Sequence, residues 1–309
     1  MSNSTSRFSM SKNNGSNQLG PQNNKKKRLQ KSKLVRQDSC VNLYESTLSD
    51  PVIENNLNSL LSSLTPLVAV KFSSEIEGSS TVSQRKPYFV LEDLWESYNE
   101  WNAFGVEVPL VLNNHENVTQ YFVPSLSALQ LYVEDDQGLK KSGFAPSNET
   151  TTKLIFEYFE IVCPYLRMPL INKVSDLAKE HPGIKNYRSS DISPCSWFSV
   201  AWYPIYGIPA GSTLNNLNTA FLTFYNLSTH PKSKNQLKLQ DESLKMPIPI
   251  FGITTYNLEG SILTLPKAAK SDEMNSLLKA ADVWLKSLKV ELHQDYNFFV
   301  KDGKQWVGE

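Results

Sequence analysis

The segment from Ser193 to Pro209 constrains the fold of this chain more than any other. It reads SPCSWFSVAWYPIYGIP, holds two of the six tryptophans and carries no charge. Aromatic and β-branched residues favour strands, and the prolines and glycine that follow are typical of a strand end. Because successive side chains of a strand alternate, one face would hold Phe198, Val200 and Trp202, and the other Trp197, Ser199, Ala201 and Tyr203. Both faces are apolar, so we expect a central, buried strand.

Helical periodicity marks three further segments. Apolar residues recur at helical spacing over 91–101, 171–178 and 274–292. The first helix should end near Gly105. The last should run for about five turns and cover one face of the sheet. Short apolar runs bounded by turn residues predict strands at 108–112, 118–123, 128–133, 220–227 and 250–265. We expect Pro124 to interrupt the second of these. Residues 154–162 fit either a strand or a helix.

These elements predict an α+β fold: a mainly antiparallel sheet of about five to six strands with amphipathic helices packed on it, because consecutive strands lack long crossover helices. We expect residues 86–300 to form a single α+β domain. Residues 1–85 read as a disordered basic tail with a small apolar island at 57–70, and residues 301–309 should fray.

Charge is distributed unevenly along the chain. Residues 1–40 carry nine basic residues and one acid, a net charge of +8, so residues 41–309 carry −8. The basic run KKKRLQKSK resembles a nuclear-import signal and contains Lys25, Lys26, Lys27, Arg28, Lys31 and Lys33. Just after it, Ser39 has the hydrophobic-x-Arg-x-x-Ser spacing of a kinase site, and a phosphate there would add about −2 of charge beside the run. An unmodified serine and a solvated tail are the simpler alternatives.

Composition also indicates the compartment. Three widely separated cysteines argue against a disulfide framework. No secretory signal is visible at the start, and no run approaches the ~18 apolar residues of a membrane span. We therefore expect an intracellular protein of the nucleus, the cytoplasm or both, with no membrane contact.

The common catalytic and metal-binding motifs are missing. There is no G-x-G-x-x-G, G-x-S-x-G, H-E-x-x-H or C-x-x-C, and the four histidines are isolated. We accordingly expect no metal or cofactor, and a non-catalytic role is favoured. The candidate binding residues interrupt the aromatic core: Arg167, Asp191, Ser193, Tyr203 and Tyr206. Each also has a structural alternative, as a turn cap, an ion-pair partner or a core tyrosine with a wet hydroxyl.

Several motifs together resemble one known family. The segments DLWESYNEWNAFG, VPLVLNNHENVTQYFVPSLSALQLY, RMPL and SDISPCSWFSVAWYPIYGIPAG are similar to the plant family known as domain of unknown function 789. The resemblance covers about residues 87–299 and implies a plant protein with one domain and no established activity. It supplies no catalytic residues. The loop at 134–150 is short here, whereas relatives often carry a long acidic, Ser-rich insertion.

Three functions follow as hypotheses. The first is a non-catalytic interaction or regulatory module with a protein partner, whose basic tail engages an import receptor. The second is an enzyme or small-ligand binder with an unfamiliar site near the candidate residues. The third is weak nucleic-acid binding through the tail, against which the acidic body argues.

Overall fold

The structure is a computed structural model that describes residues 34–36, 56–73, 86–111, 117–134, 151–205, 220–229, 245–255 and 272–301. The basic run at 25–33, Ser39, Tyr206 and residues 302–309 of the predicted frayed end (301–309) lie outside these residues. Everything below concerns the described part of the chain.

Within that part, the predicted strands and helices form, several with changed bounds, and further short elements that the patterns did not predict accompany them. The strands are β1 (Leu34–Arg36), β2 (Leu67–Ala69), β3 (Lys71–Ser73), β4 (Lys86–Tyr88), β5 (Val106–Val111), β6 (Asn117–Glu134), β7 (Thr151–Phe159), β8 (Trp197–Pro204), β9 (Phe221–Asn226), β10 (Lys245–Pro247) and β11 (Ile250–Thr255). The helices are α1 (Asn56–Ser63), α2 (Leu91–Glu96), α3 (Asn99–Phe104), α4 (Leu170–Glu180), α5 (Gly183–Asn186), α6 (Asp272–Ser287) and α7 (Gln294–Lys301).

The main sheet is antiparallel throughout. Its strand order is β1-β7-β6-β8-β9-β11, and β5 pairs with the first part of β6. Two separate two-stranded sheets are formed by β2 with β10 and by β3 with β4. With helices packed on this curled sheet, the predicted α+β class and its antiparallel topology are confirmed.

Strand β8 occupies the central position that its sequence predicts. It pairs with β6 on one side and β9 on the other. Phe198, Val200 and Trp202 belong to one buried cluster, and Trp197 and Ala201 belong to a second cluster on the opposite face. The alternation of side chains along β8 therefore divides the core into two layers.

Strand β6 is longer than predicted, because Pro124 does not interrupt it. β5 pairs with residues 117–122 of β6, and β7 pairs with residues 128–134 on the same side. Pro124 falls between these two partners and pairs only with Trp202 of β8. Proline lacks an N–H donor, and here no ladder partner on that side requires one.

Two helix predictions change in their bounds. The helix predicted over 91–101 is divided into α2 and α3 at Ser97, whose hydroxyl bonds to the carbonyl of Leu94 at 2.6 Å. The helix predicted to reach Leu292 ends at Ser287, where Lys289 takes a left-handed conformation with φ 55°. Residues 154–162, which fitted either type, form β7 over most of their length.

The apolar island lies on the core. Leu57, Leu60 and Leu64 of this segment are buried in the same cluster as Trp95 and Trp202. Asn56 anchors the start of α1, since its side chain accepts from the N–H of Val111 at 2.8 Å and donates to its carbonyl at 2.9 Å. The packed structure thus includes residues that precede position 86.

Trp202→Ala is expected to destabilise the fold by about 3–5 kcal/mol, because it removes a fully buried indole from the central strand. It also removes the hydrogen bond from the indole N–H to the hydroxyl of Thr223 at 2.8 Å. Chemical denaturation should show the loss as a lower midpoint. Phe104→Ala, at a side chain 76% exposed, is the control and should change stability by no more than about 0.5 kcal/mol. Equal midpoints for the two variants would contradict the central-strand assignment.

Candidate functional site

The segment between β7 and α4 displays large apolar side chains to solvent. We call residues 161–169 (IVCPYLRMP) the apolar loop. Tyr165 is 98% exposed, Leu166 74% and Ile161 72%. Scattered exposed apolar residues are ordinary, but large ones grouped in one short loop are typical of interaction sites.

The apolar loop is held in one shape by its own backbone. Residues Pro164–Leu166 form a 3-10 turn in which the N–H of Leu166 donates to the carbonyl of Cys163 at 3.0 Å. Proline limits φ at the start of this turn, Pro164, and at the end of the loop, Pro169. Such local restraint reduces the entropy that the loop would lose on contact with a partner.

Arg167 ties the loop to the body of the protein. Its Nε donates to the carbonyl of Val162 at 2.8 Å, which closes the loop on itself. Its two terminal nitrogens donate to the carboxylate of Asp295 in α7 at 2.8 and 2.6 Å, and one of them also to the hydroxyl of Tyr203 at 3.0 Å. The guanidinium therefore bonds to three parts of the protein: the loop itself, helix α7 and strand β8.

The ion pair is buried on both sides. The exposed fractions of the Arg167 and Asp295 side chains are only 5% and 9%. Burial opposes the charge of Arg167, but the hydrogen bonds and charge of Asp295 outweigh it and raise the pKa of the guanidinium. Asp295 accepts a further hydrogen bond from the hydroxyl of Ser127. Its carboxylate also lies in the first turn of α7, where the helix dipole favours negative charge.

Glu160 fixes the start of the loop. Its buried carboxylate accepts from the backbone N–H groups of Ile161 and Val162, both at 3.0 Å. Burial alone would raise the pKa of Glu160, but the bond from Val162 and the nearby positive charges lower it below its usual value. Lys173 of α4 lies 3.4 Å from the second carboxylate oxygen. The first two residues of the loop are thus hydrogen-bonded to charged side chains. Their N–H groups bond to Glu160, and the carbonyl of Val162 bonds to Arg167.

A serine and a histidine lie next to this cluster. The Oγ of Ser199 and the Nε2 of His293 are 3.0 Å apart, and both residues are buried. The backbone N–H of Tyr296 donates to Nδ1 of His293 at 3.2 Å. Nδ1 is therefore an acceptor, and the single proton of the neutral ring is on Nε2.

This proton position defines what the pair can do. A nucleophile–base pair requires a ring nitrogen that accepts the hydroxyl proton. Here Nε2 donates to Ser199, and Nδ1 caps the N-terminus of α7 in the way that a polar side chain caps a helix. Burial lowers the pKa of His293 to about 4. The ring is thus neutral near pH 7, and its geometry is that of a helix cap.

The structure brings two of the five predicted binding residues together. Arg167 and Tyr203 are hydrogen-bonded, and the guanidinium also lies 5.7 Å from the centre of the tyrosine ring. Asp191 and Ser193 precede β8 and lie at the other end of its pairing with β6, where the N–H of Ser193 bonds to the carbonyl of Tyr132. Tyr206 lies outside the described residues.

Sequence reasoning missed the partners of Arg167. Asp295 lies 128 positions further along the chain, and no local spacing connects the two. Glu160 gave a weak signal, because it is an acid within the apolar run LIFEYFEIV. No residue near His293 in the sequence indicates its partner, and only the fold places it beside Ser199.

The described residues also form a small hollow between α2, α4 and α5. Its volume is about 40 Å³, and its lining includes Trp95, Glu96, Val174 and Lys185. Small-molecule sites typically enclose about 300–1,000 Å³. This hollow has room for one or two waters and does not compete with the apolar loop as a site.

None of the described helices is both long enough and apolar enough to traverse a bilayer. Among the described residues, no three histidine, cysteine, aspartate or glutamate side chains are grouped so as to hold a metal ion.

Fold and site together define an α+β protein with a curled antiparallel sheet and a braced apolar loop at its surface. The chain belongs to the family described as "Protein of unknown function (DUF789)", whose model matches residues 55–149 and 133–299. The resemblance found in its motifs is thereby confirmed. No curated protein and no solved structure matches the chain.

The buried neutral His293 is expected to make stability depend on pH. Its pKa is about 4 when folded and near 6.5 when unfolded, so the unfolded chain binds the extra proton more readily. Stability should be complete above about pH 6.5 and fall by about 3 kcal/mol as the pH drops to about 4. Denaturation midpoints measured across this range would show the slope.

His293→Asn provides the control, since asparagine keeps a side-chain acceptor for the helix N-terminus but has no titration in this range. The variant should be less stable at pH 7 and nearly flat between pH 6.5 and 4.5. Parallel slopes for wild type and variant would show that the burial of His293 is not the cause.

Proposed function

We propose that this protein is a non-catalytic interaction module whose apolar loop docks an apolar segment of a partner protein. One observation carries the proposal. Three large apolar side chains, Ile161, Tyr165 and Leu166, are more than 70% exposed on a loop that a buried ion pair holds in place.

The energetics of the loop support binding. Exposed tyrosine and leucine side chains contribute most to affinity when they enter a pocket of a partner and leave water. Ordering a flexible loop would offset part of that gain. The hydrogen bonds of Arg167 and Glu160 to the loop backbone order it in advance, so the loop has little further entropy to lose.

The charges beneath the loop indicate the chemistry of the partner. Arg167 is the only charged residue among 161–169, and its guanidinium faces inward to Asp295. The outer surface of the loop offers aliphatic and aromatic groups with the exposed thiol of Cys163. An apolar segment, such as one face of an amphipathic helix, suits this surface better than a charged one.

The Ser199–His293 geometry also supports a binding role over hydrolysis by this pair. The hydrogen bond runs from the ring to the hydroxyl, opposite to the direction that activates a nucleophile. The residues around the pair bond to one another and brace α7 and the loop. They act as a support for the apolar loop in this proposal.

The basic tail supplies the regulatory part of the proposal. The run at 25–33 carries six of the 31 basic residues of the chain, and such runs are recognised by import receptors. The motif resemblance described above supports a plant protein, and the basic run supports a location in the nucleus, the cytoplasm or both. Its partner would then be met in the compartment that the tail selects.

The double variant Tyr165→Ser/Leu166→Ser is expected to lose the partner without loss of fold, because both side chains are exposed. Affinity enrichment with the full chain as bait should identify proteins held by wild type. Binding of the purified candidate should weaken about 10- to 100-fold in the double variant. Melting temperatures of the two baits should agree.

Leu67→Ser is the matched control, since Leu67 is 55% exposed on β2, whose paired strand is β10 and not part of the loop. It should retain the partner at wild-type affinity. If every partner bound the double variant as tightly as the control, the apolar loop would not be the docking surface.

Replacing all six basic residues of the 25–33 run by glutamine is expected to reduce the nuclear share of a fluorescent fusion in plant leaf cells. The positive charges are the groups that an import receptor would bind. A control with Arg7 and Lys12 replaced by glutamine should distribute as wild type. Equal distribution of all three proteins would remove import from the proposal.

A further inference from the structure

We propose that the outer edge of β7 is a strand-docking site that takes an extended peptide with a basic residue opposite Glu157. This surface is separate from the apolar loop and does not depend on the function proposed above. It rests on the hydrogen-bond register of the sheet, the sequence of β7 and the charge at position 157.

The register shows which backbone groups of β7 point outward. The N–H of Glu160 donates to the carbonyl of Ser127 at 2.8 Å. From there, the residue pairs between β6 and β7 alternate between hydrogen-bonded and non-hydrogen-bonded pairs. Tyr158 is paired with Leu129, and Phe156 with Leu131, as bonded partners. The N–H and C=O groups of Glu157 and Phe159 consequently point away from β6.

In the described part of the chain, the only strand on that outer side is β1. It pairs antiparallel with residues 151–153 and leaves residues 154–159 without a strand beside them. β1 is three residues long and comes from a distant part of the chain. The edge therefore already receives one added strand, in antiparallel direction.

Residues 154–159, beside which no other described strand lies, read LIFEYF. Exposed edges with this aromatic and aliphatic content pair readily with other strands, and proteins protect them with charges, prolines or bulges. Glu157 is the one charge in the segment, and the register shifts at Ile155, which is one bulge-like irregularity. A paired strand would satisfy the outward groups and shield the apolar side chains.

Charge selects the occupant. Two copies could pair through these outward groups in two registers. A register centred on Glu157 would place it opposite Glu157 of the second copy, and like charges directly opposite are destabilising. A register centred on Tyr158 would place Glu157 opposite Phe159, where its carboxylate meets no positive charge. Glu157 is exposed, and one of its oxygens accepts from Gln130 at 2.6 Å. A lysine or arginine of a different chain at the facing position would instead complete the carboxylate's contacts. We therefore assign the edge to a peptide of a partner protein with a basic residue between apolar ones.

A phage-displayed library of random eight-residue peptides, selected on the full chain, tests this assignment. Enriched peptides should share a lysine or arginine flanked by apolar or β-branched residues. Synthetic versions should bind Glu157→Pro at least about tenfold more weakly than Glu157→Ala, because proline removes the outward N–H. Alanine keeps that N–H and loses the same bond to Gln130, so it is the matched control. Both variants should remain folded, since edge positions tolerate proline.

Hydrogen exchange separates the other occupants. In the free protein the amides of Glu157 and Phe159 should exchange rapidly at all concentrations and become protected when a selected peptide binds. Protection that grows with protein concentration would assign the edge to a second copy and overturn the proposal. Concentration-independent protection in the free protein would assign it to another segment of this chain and overturn it equally. Failure to enrich peptides, or equal binding to both variants, would also refute it.

Discussion

The position of the apolar loop depends on the buried ion pair between Arg167 and Asp295. This pair joins a loop in the middle of the chain to a helix near its end, and it uses the loop's only charge to do so. Removing one partner would leave the other as an uncompensated charge in a dry site, which typically costs about 3–5 kcal/mol. The geometry of the apolar loop is thus coupled to the docking of α7.

That coupling is possible because β8 separates two kinds of interior. One face carries Phe198 and Trp202 into an apolar cluster, where Trp202 contacts the rings of Tyr98, just before α3, and Trp101 of α3. The other face carries Ser199 and Tyr203 toward α7, where they meet His293 and Arg167. Alternation along a single strand therefore supplies both the hydrophobic stability and the polar support of the loop.

The polar side chains that support the loop take protonation states that suit a buried, low-dielectric site. Burial keeps His293 neutral and raises the pKa of Tyr203, so both remain in uncharged forms that bond without desolvation of a charge. The charges that are present, on Arg167, Asp295 and Glu160, each meet an opposite charge or several N–H groups. A rigid platform results, and rigidity is what a preformed binding loop requires.

The sequence by itself determined the class of fold, the central strand and its two faces, because alternation and helical periodicity are local signals of burial. It also singled out Arg167 and Tyr203 as polar interruptions of the core. The tertiary structure alone decided where Pro124 is tolerated, where α6 ends without a glycine, and that Asp295 and His293 complete the site. Those outcomes depend on which strand lies beside which, and on contacts between residues more than 90 positions apart, for which the chain carries no local pattern.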